Sequence, residues 1–287
     1  MTGRGAGAVR IGVGGWIYPP WRGSFYPHGL PRTRELPFAT RRLTTIEVSA
    51  TFFGAQRVAT FRKWAAAAPE GFVYALKGPR AATHRGDLEA AGAVIERFVH
   101  GGMLELGSRL GPLLWQLSDA TPFDAEQFGR FLALLPHQAG GRPLRHAVEV
   151  RHDSFRAAAA IRLLRDHGIA LAILDSDRGA PWEDLTADFA YLRLQRCVPG
   201  EPQGYAPAAL ETWANRLETW SQGRAAGRGS LGGTTPAIGG RDVYAYFVGG
   251  FKQRCPTAAL ALQERLGALS SQPPTALTAA PMRAAHG

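Results

Sequence analysis

"VRIGVGGWIYPPW", residues 9–21, starts as a strand and breaks at Gly14-Gly15. Two α/β architectures open this way. A doubly wound open sheet follows its first strand with a GxGxxG turn that brings a helix N-terminus to a phosphate. Here the turn runs Gly12-Val13-Gly14-Gly15-Trp16-Ile17, so the third glycine is missing, and no GxxxxGK[ST] occurs in the 287 residues. A (β/α)8 barrel needs no such turn. It needs a strand–helix unit repeated eight times over roughly 250 residues.

Working outward from the first strand, the repeat is present. The other β-rich runs are TTIEVSA (44–50), FVYALKG (72–78), GPLLWQL (111–117), RHAVEVR (145–151), ALAILDS (170–176), FAYLRLQ (189–195) and DVYAYFV (242–248). Helical periodicity fills 58–69, 87–110, 124–136, 154–168, 207–220 and 256–269. Asp124 and Ser154 stand where N-caps belong, and Gly168 where a helix-ending glycine belongs. The expectation is an α/β fold, a single (β/α)8 TIM-like barrel over residues 9–269. Residues 221–241 read as a flexible Gly-rich insert and 270–287 as a disordered C-terminal tail.

Composition narrows the class. Hydrophobic content of 45% with 20% charged residues is that of a globular protein. No run reaches the ~18–20 apolar residues of a membrane span, and the first residues lack the apolar core of a secretory signal. Cys197 and Cys255 form no CxxC, which suits free thiols in a reducing cytoplasm. The net charge of +10 makes nucleic acid a possible partner. Against it, only Lys63, Lys77 and Lys252 among the 33 basic residues are lysines, and the arginines are scattered through an Ala-, Gly- and Pro-rich chain without a basic run.

The strand ends carry the polar residues. In such barrels the site lies at the carboxyl ends of the strands, and a charge inside a strand is costly without a partner. Read at period two, the inward frame is Glu47 and Ser49, Lys77, Gln116, Glu149 and Arg151, Asp175, then Arg193 and Gln195. Three acids face three bases at one mouth. A salt-bridge network capping the core is the alternative to a catalytic site. The segment after the first strand spends five aromatics among three prolines, and Trp16, Tyr18 and Trp21 are expected to wall the mouth where a ring could stack. After the eighth strand, Gly249, Gly250 and Lys252 (with Arg254 near by) make a candidate anion site ahead of the helix that Pro256 opens. His84 and His152 follow strands three and five. A metal on these with Glu47, Glu149 and Asp175 is disfavoured by Lys77, Arg151 and Arg193, so no cofactor is expected.

These motifs carry a resemblance. The runs GGWIYPPWRGSFYP (14–27), IEVSATFF (46–53), PEGFVYALKGPRAATH (69–84), LGPLLWQL (110–117), EVRHDSF (149–155) and YLRL (191–194) resemble the YecE-like family, domain of unknown function 72, in order over residues 9 to 267. The resemblance implies a TIM-like barrel with a polar pocket at its mouth, and no particular activity. The family pattern falls on Gly15, Trp16, Tyr18, Trp21, Phe25, Tyr26, Pro27, Glu47, Lys77, Thr83, His84, Gln116, Glu149, Arg151 and His152. Three places depart from many relatives. Ser49 stands for an Asn, Gln195-Arg196 for His-Gly, and Val248-Gly249-Gly250 for an Asn/Asp-rich run. Those losses weaken a metal reading and imply a subgroup with a different ligand or altered chemistry.

The functional expectation is a metal-independent acid/base enzyme on a small polar substrate, sugar-like or phosphorylated. Glu149 or Glu47 would act as base and Lys77 as oxyanion stabiliser or Schiff-base amine, with Asp175 in the catalytic set. Trp16, Tyr18, Trp21, His84, Gln116, Arg151, His152 and Arg193 would bind the substrate. The alternatives are a nucleic-acid phosphodiesterase or repair-type metalloenzyme, and a non-catalytic metabolite-binding protein.

Overall fold

A computed structural model describes residues 5–84, 86–177, 179, 181–224, 231–233 and 239–270. Most of the 221–241 insert, and all of the 270–287 tail except Ser270, lie outside the described residues. Eight parallel strands close into a barrel: β1 (Val9–Gly14), β2 (Thr45–Val48), β3 (Val73–Lys77), β4 (Leu110–Gln116), β5 (His146–Glu149), β6 (Ala170–Asp175), β7 (Phe189–Leu194) and β8 (Asp242–Phe247). Each falls within two residues of its expected run. β1 pairs with β2 on one side and β8 on the other, which removes both sheet edges. A two-residue ladder, Gln138–Ala139 with Arg142–Pro143, lies outside the barrel and was not expected.

The interior follows the pleat. Val73 and Ala75, Leu114, Ala147, Ala170 and Ala172, Phe189 and Tyr191, and Tyr244 and Tyr246 form one buried cluster. Four aromatics from β7 and β8 fill the space that four alanines on β3, β5 and β6 leave, so large faces small across the barrel. Gly12 makes the seam possible: a Cβ there would stand 1.8 Å from the Thr45 carbonyl oxygen. Beside it, the Thr45 hydroxyl donates to the Val73 carbonyl at 2.8 Å and lies 2.9 Å from the Tyr246 hydroxyl.

Seven longer helices surround the strands: α1 (Arg32–Arg42), α2 (Val58–Ala67), α3 (Gly92–His100), α4 (Ala125–Ala133), α5 (Ala158–Asp166), α6 (Pro207–Ser221) and α7 (Cys255–Ser270). Helix α1 was not expected, because Pro37 sits in its interior and its apolar residues are few. It forms because Leu36, Ala39, Thr40 and Glu35 bury one face, with Glu35 taking the Nε of Arg22 at 2.7 Å. The run 87–110, read as one helix, breaks at Gly102, whose φ of +111° only glycine adopts readily; a 3-10 segment follows. Asp124 caps α4, accepting from the Gln127 amide at 2.8 Å, and Gly168 closes α5 at φ +62°. Ser154 caps no helix. It lies in a 3-10 turn, Asp153–Phe155, and α5 begins four residues later at Ala158. Among the described residues no helix is long and apolar enough to cross a membrane.

The described part of the insert is not free chain. Asp184, fully buried after β6, accepts from the Leu231 and Gly232 amides at 3.0 and 3.1 Å, and Arg165 stands 3.8 Å away. Asp184→Ala leaves those donors unpaired. It is expected to cost about 2 kcal/mol and to expose the chain near Leu231 to limited proteolysis. Wild-type stability with an unchanged cleavage pattern would refute this anchor.

Candidate active site

At the carboxyl ends of five strands the inward residues turn from apolar to polar or charged. Lys77 ends β3, Gln116 β4 and Glu149 β5, while Glu47 and Arg193 are the next-to-last residues of β2 and β7. All five are buried. Arg193 lies between the two carboxylates. Its Nε and Nη2 each donate to Glu47 at 3.0 Å, and its Nη1 donates to Glu149 Oε2. Glu47 also takes the Tyr191 hydroxyl at 2.8 Å. Glu149 Oε1 receives Gln116 Nε2 and Arg151 Nε, both at 2.6 Å. Arg151 reaches on to Asp119 at 3.3 Å.

Every oxygen of both carboxylates is therefore occupied, as buried charge demands. Burial alone would raise the Glu149 carboxyl. Arg193, Arg151 and the hydrogen bonds from Arg151 and Gln116 outweigh it and hold the group below its ordinary value. Burial first, then Glu47, pushes the Tyr191 phenol well up, so it keeps the proton it donates.

Lys77 is different. Among the described residues no carboxylate lies within 4 Å of its ammonium group. Its Nζ donates to Gln116 Oε1 at 2.7 Å and sits 3.6 Å from the centre of the Phe52 ring. Burial and the Arg193 charge bring its pKa from 10.5 down to about 8, with Glu47 and Glu149 opposing. His84, at the rim, packs edge-on against Phe52 at 5.3 Å and lies 3.1 Å from the Thr83 hydroxyl. Burial, then Arg80, Lys77 and Arg151, lower its pKa, so the imidazole is neutral at pH 7. The floor thus couples a fixed ion-pair network to one amine whose pKa is brought down to about 8.

The inward frame held for Glu47, Lys77, Gln116, Glu149, Arg151 and Arg193, and failed for Asp175. On β6 the interior residues are Ala170 and Ala172, so Asp175 has the opposite parity. Its carboxylate accepts from Trp213 Nε1 on α6 at 3.2 Å and lies 3.8 Å from Arg196, outside the barrel wall. Ser49 is the N-cap residue of a short helical turn, Ala50–Phe53, and makes no side-chain cap bond.

The aromatic segment packs outward. Trp21 is fully buried against Tyr18, Phe25 and Tyr26, and its indole donates to the Lys252 carbonyl at 3.0 Å. Trp16 meets Trp64 of α2 edge-on at 5.4 Å, so its ring faces the helix layer. Lys252 holds its ammonium 5.1 Å from the Tyr18 ring centre. At the proposed anion corner three amides are already paired. The amides of Phe251, Arg254 and Cys255 bond to Cys197, Phe251 and Lys252 carbonyls. Gly250, at φ +69°, is glycine because a Cβ would stand 2.3 Å from the Cys197 carbonyl oxygen. Gly249 packs against Gln195. His152 uses Nδ1 on the Ser154 amide and hydroxyl. The metal set Glu47, Glu149, Asp175 and His152 does not converge, and among the described residues no three His, Cys, Asp or Glu side chains are grouped to hold an ion.

Two contributors were not read from sequence. Tyr191 shares its face with Arg193, two residues on, and period two would have found it. Phe52 carries no such signal, because it lies in the short helical turn after β2, where strand alternation has ended.

Beside the floor, Arg151, Arg156, Leu174, Ser176 and Trp182 line a cavity of ≈ 50 Å³, where Arg156 lies 4.6 Å from the Trp182 ring. On the other side Phe52, Phe53, Pro79, His84 and Phe98 line an open groove.

Known structures repeat this architecture. A DUF72 family protein of Thermotoga maritima superposes with a TM-score of 0.71 at 20% identity, over 91% of this chain and 99% of that one. A DUF72 family protein of Enterococcus faecalis gives 0.67 at 14% identity, over 90% and 95%. No curated protein matches. The family model described as "Protein of unknown function DUF72" matches residues 10–283 and so reaches all eight strands of the barrel. With that match and these neighbours, the chain belongs to the DUF72 family.

Proposed function

We propose that the barrel mouth is a catalytic site in which the Lys77 amine transfers protons to and from a small polar or anionic substrate, sugar-like or phosphorylated. The observation that carries this reading is the contrast between Lys77 and its neighbours. Both buried carboxylates are tied up by arginines, whereas the amine keeps a neutral acceptor and a pKa of about 8. A general acid/base works best when its pKa lies near the working pH. Glu149, held low and fully hydrogen-bonded, is a poor base in this scheme; with Glu47 it positions Arg193 and Gln116. Arg151 and Arg156 supply charge for an anionic end, and no cofactor enters the step. The parity of Asp175 removes it from the reacting set.

The pH dependence follows from the direction of the Lys77 shift. Only the neutral amine accepts a proton, so kcat/KM for a substrate that Lys77 deprotonates rises with pH through a midpoint of about 8. The test is a screen of phosphorylated sugars and sugar acids with wild type and Lys77→Met. Turnover falls at least about a thousandfold in the variant. Equal turnover in both proteins, or a rate flat between pH 6 and 9, would sink the assignment. The variant is expected to fold, because the native state disfavours the Lys77 proton: its charge costs stability in full below about pH 8 and fades only toward pH 10.5, and methionine removes that cost.

A further inference from the structure

Lys77 has the surroundings of a nucleophile as well as of a base. We propose that its amine captures an aldehyde or ketone group of the substrate as an imine. This rests on the reading that Lys77 faces the substrate, and adds to it a covalent step and a substrate class.

Three features of the geometry carry it. The first is the orientation of Gln116. Its amide nitrogen is committed to Glu149 Oε1 at 2.6 Å, and a carboxylate cannot donate, so the carbonyl oxygen must be the end that faces Lys77. That oxygen takes one N–H of the amine and leaves the nitrogen lone pair directed elsewhere. A carboxylate in the same place would hold the ammonium form; the neutral amide does so less. The arginines sustain this arrangement. Arg193 and Arg151 absorb the negative charge of Glu47 and Glu149, which would otherwise draw Lys77 into a salt bridge.

The second feature is Phe52. Its ring face lies 3.6 Å from Nζ and covers one side of the amine. An iminium is a cation at the same nitrogen, so the same ring face stabilises the product of capture. Phe52 also lines the open groove with Phe53, which is 80% exposed, and His84. Phe52 is thus the residue that the groove and the amine share. The third feature is the neutral imidazole of His84 on that same ring, a group able to relay a proton at the rim.

The step balances without any further reactant. The Lys77 ammonium first gives up one proton; the freed lone pair forms a bond to the carbonyl carbon, and the carbonyl π pair moves to oxygen. The nitrogen, now cationic, gives up a second proton, and the oxygen takes up two protons in all and leaves as water while the nitrogen pair forms the C=N bond. Overall, an ammonium and a carbonyl compound give an iminium and one water. The depressed pKa supplies neutral amine for the addition near pH 8.

The chain provides its own controls, because Lys63 and Lys252 are the only other lysines. Full-length protein is incubated at pH 8 with sodium cyanoborohydride and, separately, with glycolaldehyde, dihydroxyacetone phosphate or pyruvate. Peptide mass spectrometry then reads reductive labelling at each lysine. Lys77 is expected to label at least tenfold faster than Lys63 and Lys252 with one or more of the three, and Gln116→Leu to reduce that preference. Labelling of Lys77 no faster than the other two with all three probes overturns the imine. A companion titration of the lysine ε-carbons by NMR, assigned with Lys77→Met, separates the two readings. If labelling fails but Lys77 titrates near pH 8, the imine falls and proton transfer stands. If Lys77 titrates at the ordinary 10.5, both fall.

Discussion

Arg193→Met is expected to cost about 3–5 kcal/mol of folding stability at pH 7. The guanidinium spans Glu47 and Glu149, and all three groups are buried. Forming such a network gains little over an apolar core, but removing its cation leaves two carboxylates in low dielectric without their shared counter-charge. Arg151 still reaches Glu149, so Glu47 suffers more. The pH dependence tests the cause. In wild type the Glu149 pKa is depressed, so its contribution is present above the ordinary carboxylate value of 4.5 and is lost as the pH falls through the lower folded value. In the variant the Arg193 charge no longer opposes burial at Glu149, so that depression shrinks and the stability it supplies above pH 4.5 shrinks with it. The gap between the two proteins is therefore widest near pH 7 and narrows toward pH 4.5. Urea melts at pH 7 and pH 5 measure it. A gap under 1 kcal/mol at pH 7, or one independent of pH, would show that the arginine does not balance these charges.

Trp21→Ala is expected to lower stability by about 3–5 kcal/mol, with little direct effect at the charged floor. The ring is fully buried among Tyr18, Phe25 and Tyr26. Its indole N–H reaches the Lys252 carbonyl, 231 residues away, and so ties the loop after β1 to the loop after β8 across the β1–β8 seam. Trp21→Phe keeps most of the packing and gives up that hydrogen bond, so about 1–2 kcal/mol should go. Chemical denaturation of both variants decides the matter. A Trp21→Ala protein of wild-type stability that had lost ligand affinity would return the residue to the substrate wall, where a reading of the sequence alone puts it.

The misplacement of Trp21 and its neighbours has a general cause. Aromatic side chains in a proline-stiffened segment announce that a surface is being covered, but the sequence does not say which one. Trp16 finds Trp64 on α2, and Tyr18 lies under Lys252; both contacts join elements far apart in the chain. Asp175 errs for a sharper reason. Along a strand the side chain changes face at each residue, so a frame off by one sends a carboxylate through the wall. The acid at the end of β6 drew the frame toward itself, while Ala170 and Ala172 gave too weak an apolar signal to hold it. Where the strand carried two aligned markers, as Glu149 with Arg151, the frame was right.

The alternation of β-rich runs with helical ones, and the Gly and Pro residues that separate them, are local properties. They were enough to settle the eight strands, their order along the chain and the barrel itself. The charged set at the strand ends was legible too, because charge inside a strand is rare and costly. Which of those charges touch, and which is left over, only the closed barrel decided. Closure brings Arg193 of β7 across to Glu47 of β2, 146 residues away, and to Glu149 of β5. Both carboxylates are spent in that crossing, so Lys77 is left with an amide and an aromatic ring. Hydrogen-bond capacity is finite and short-ranged, so the reactivity of this site depends on distances that no spacing in the sequence encodes.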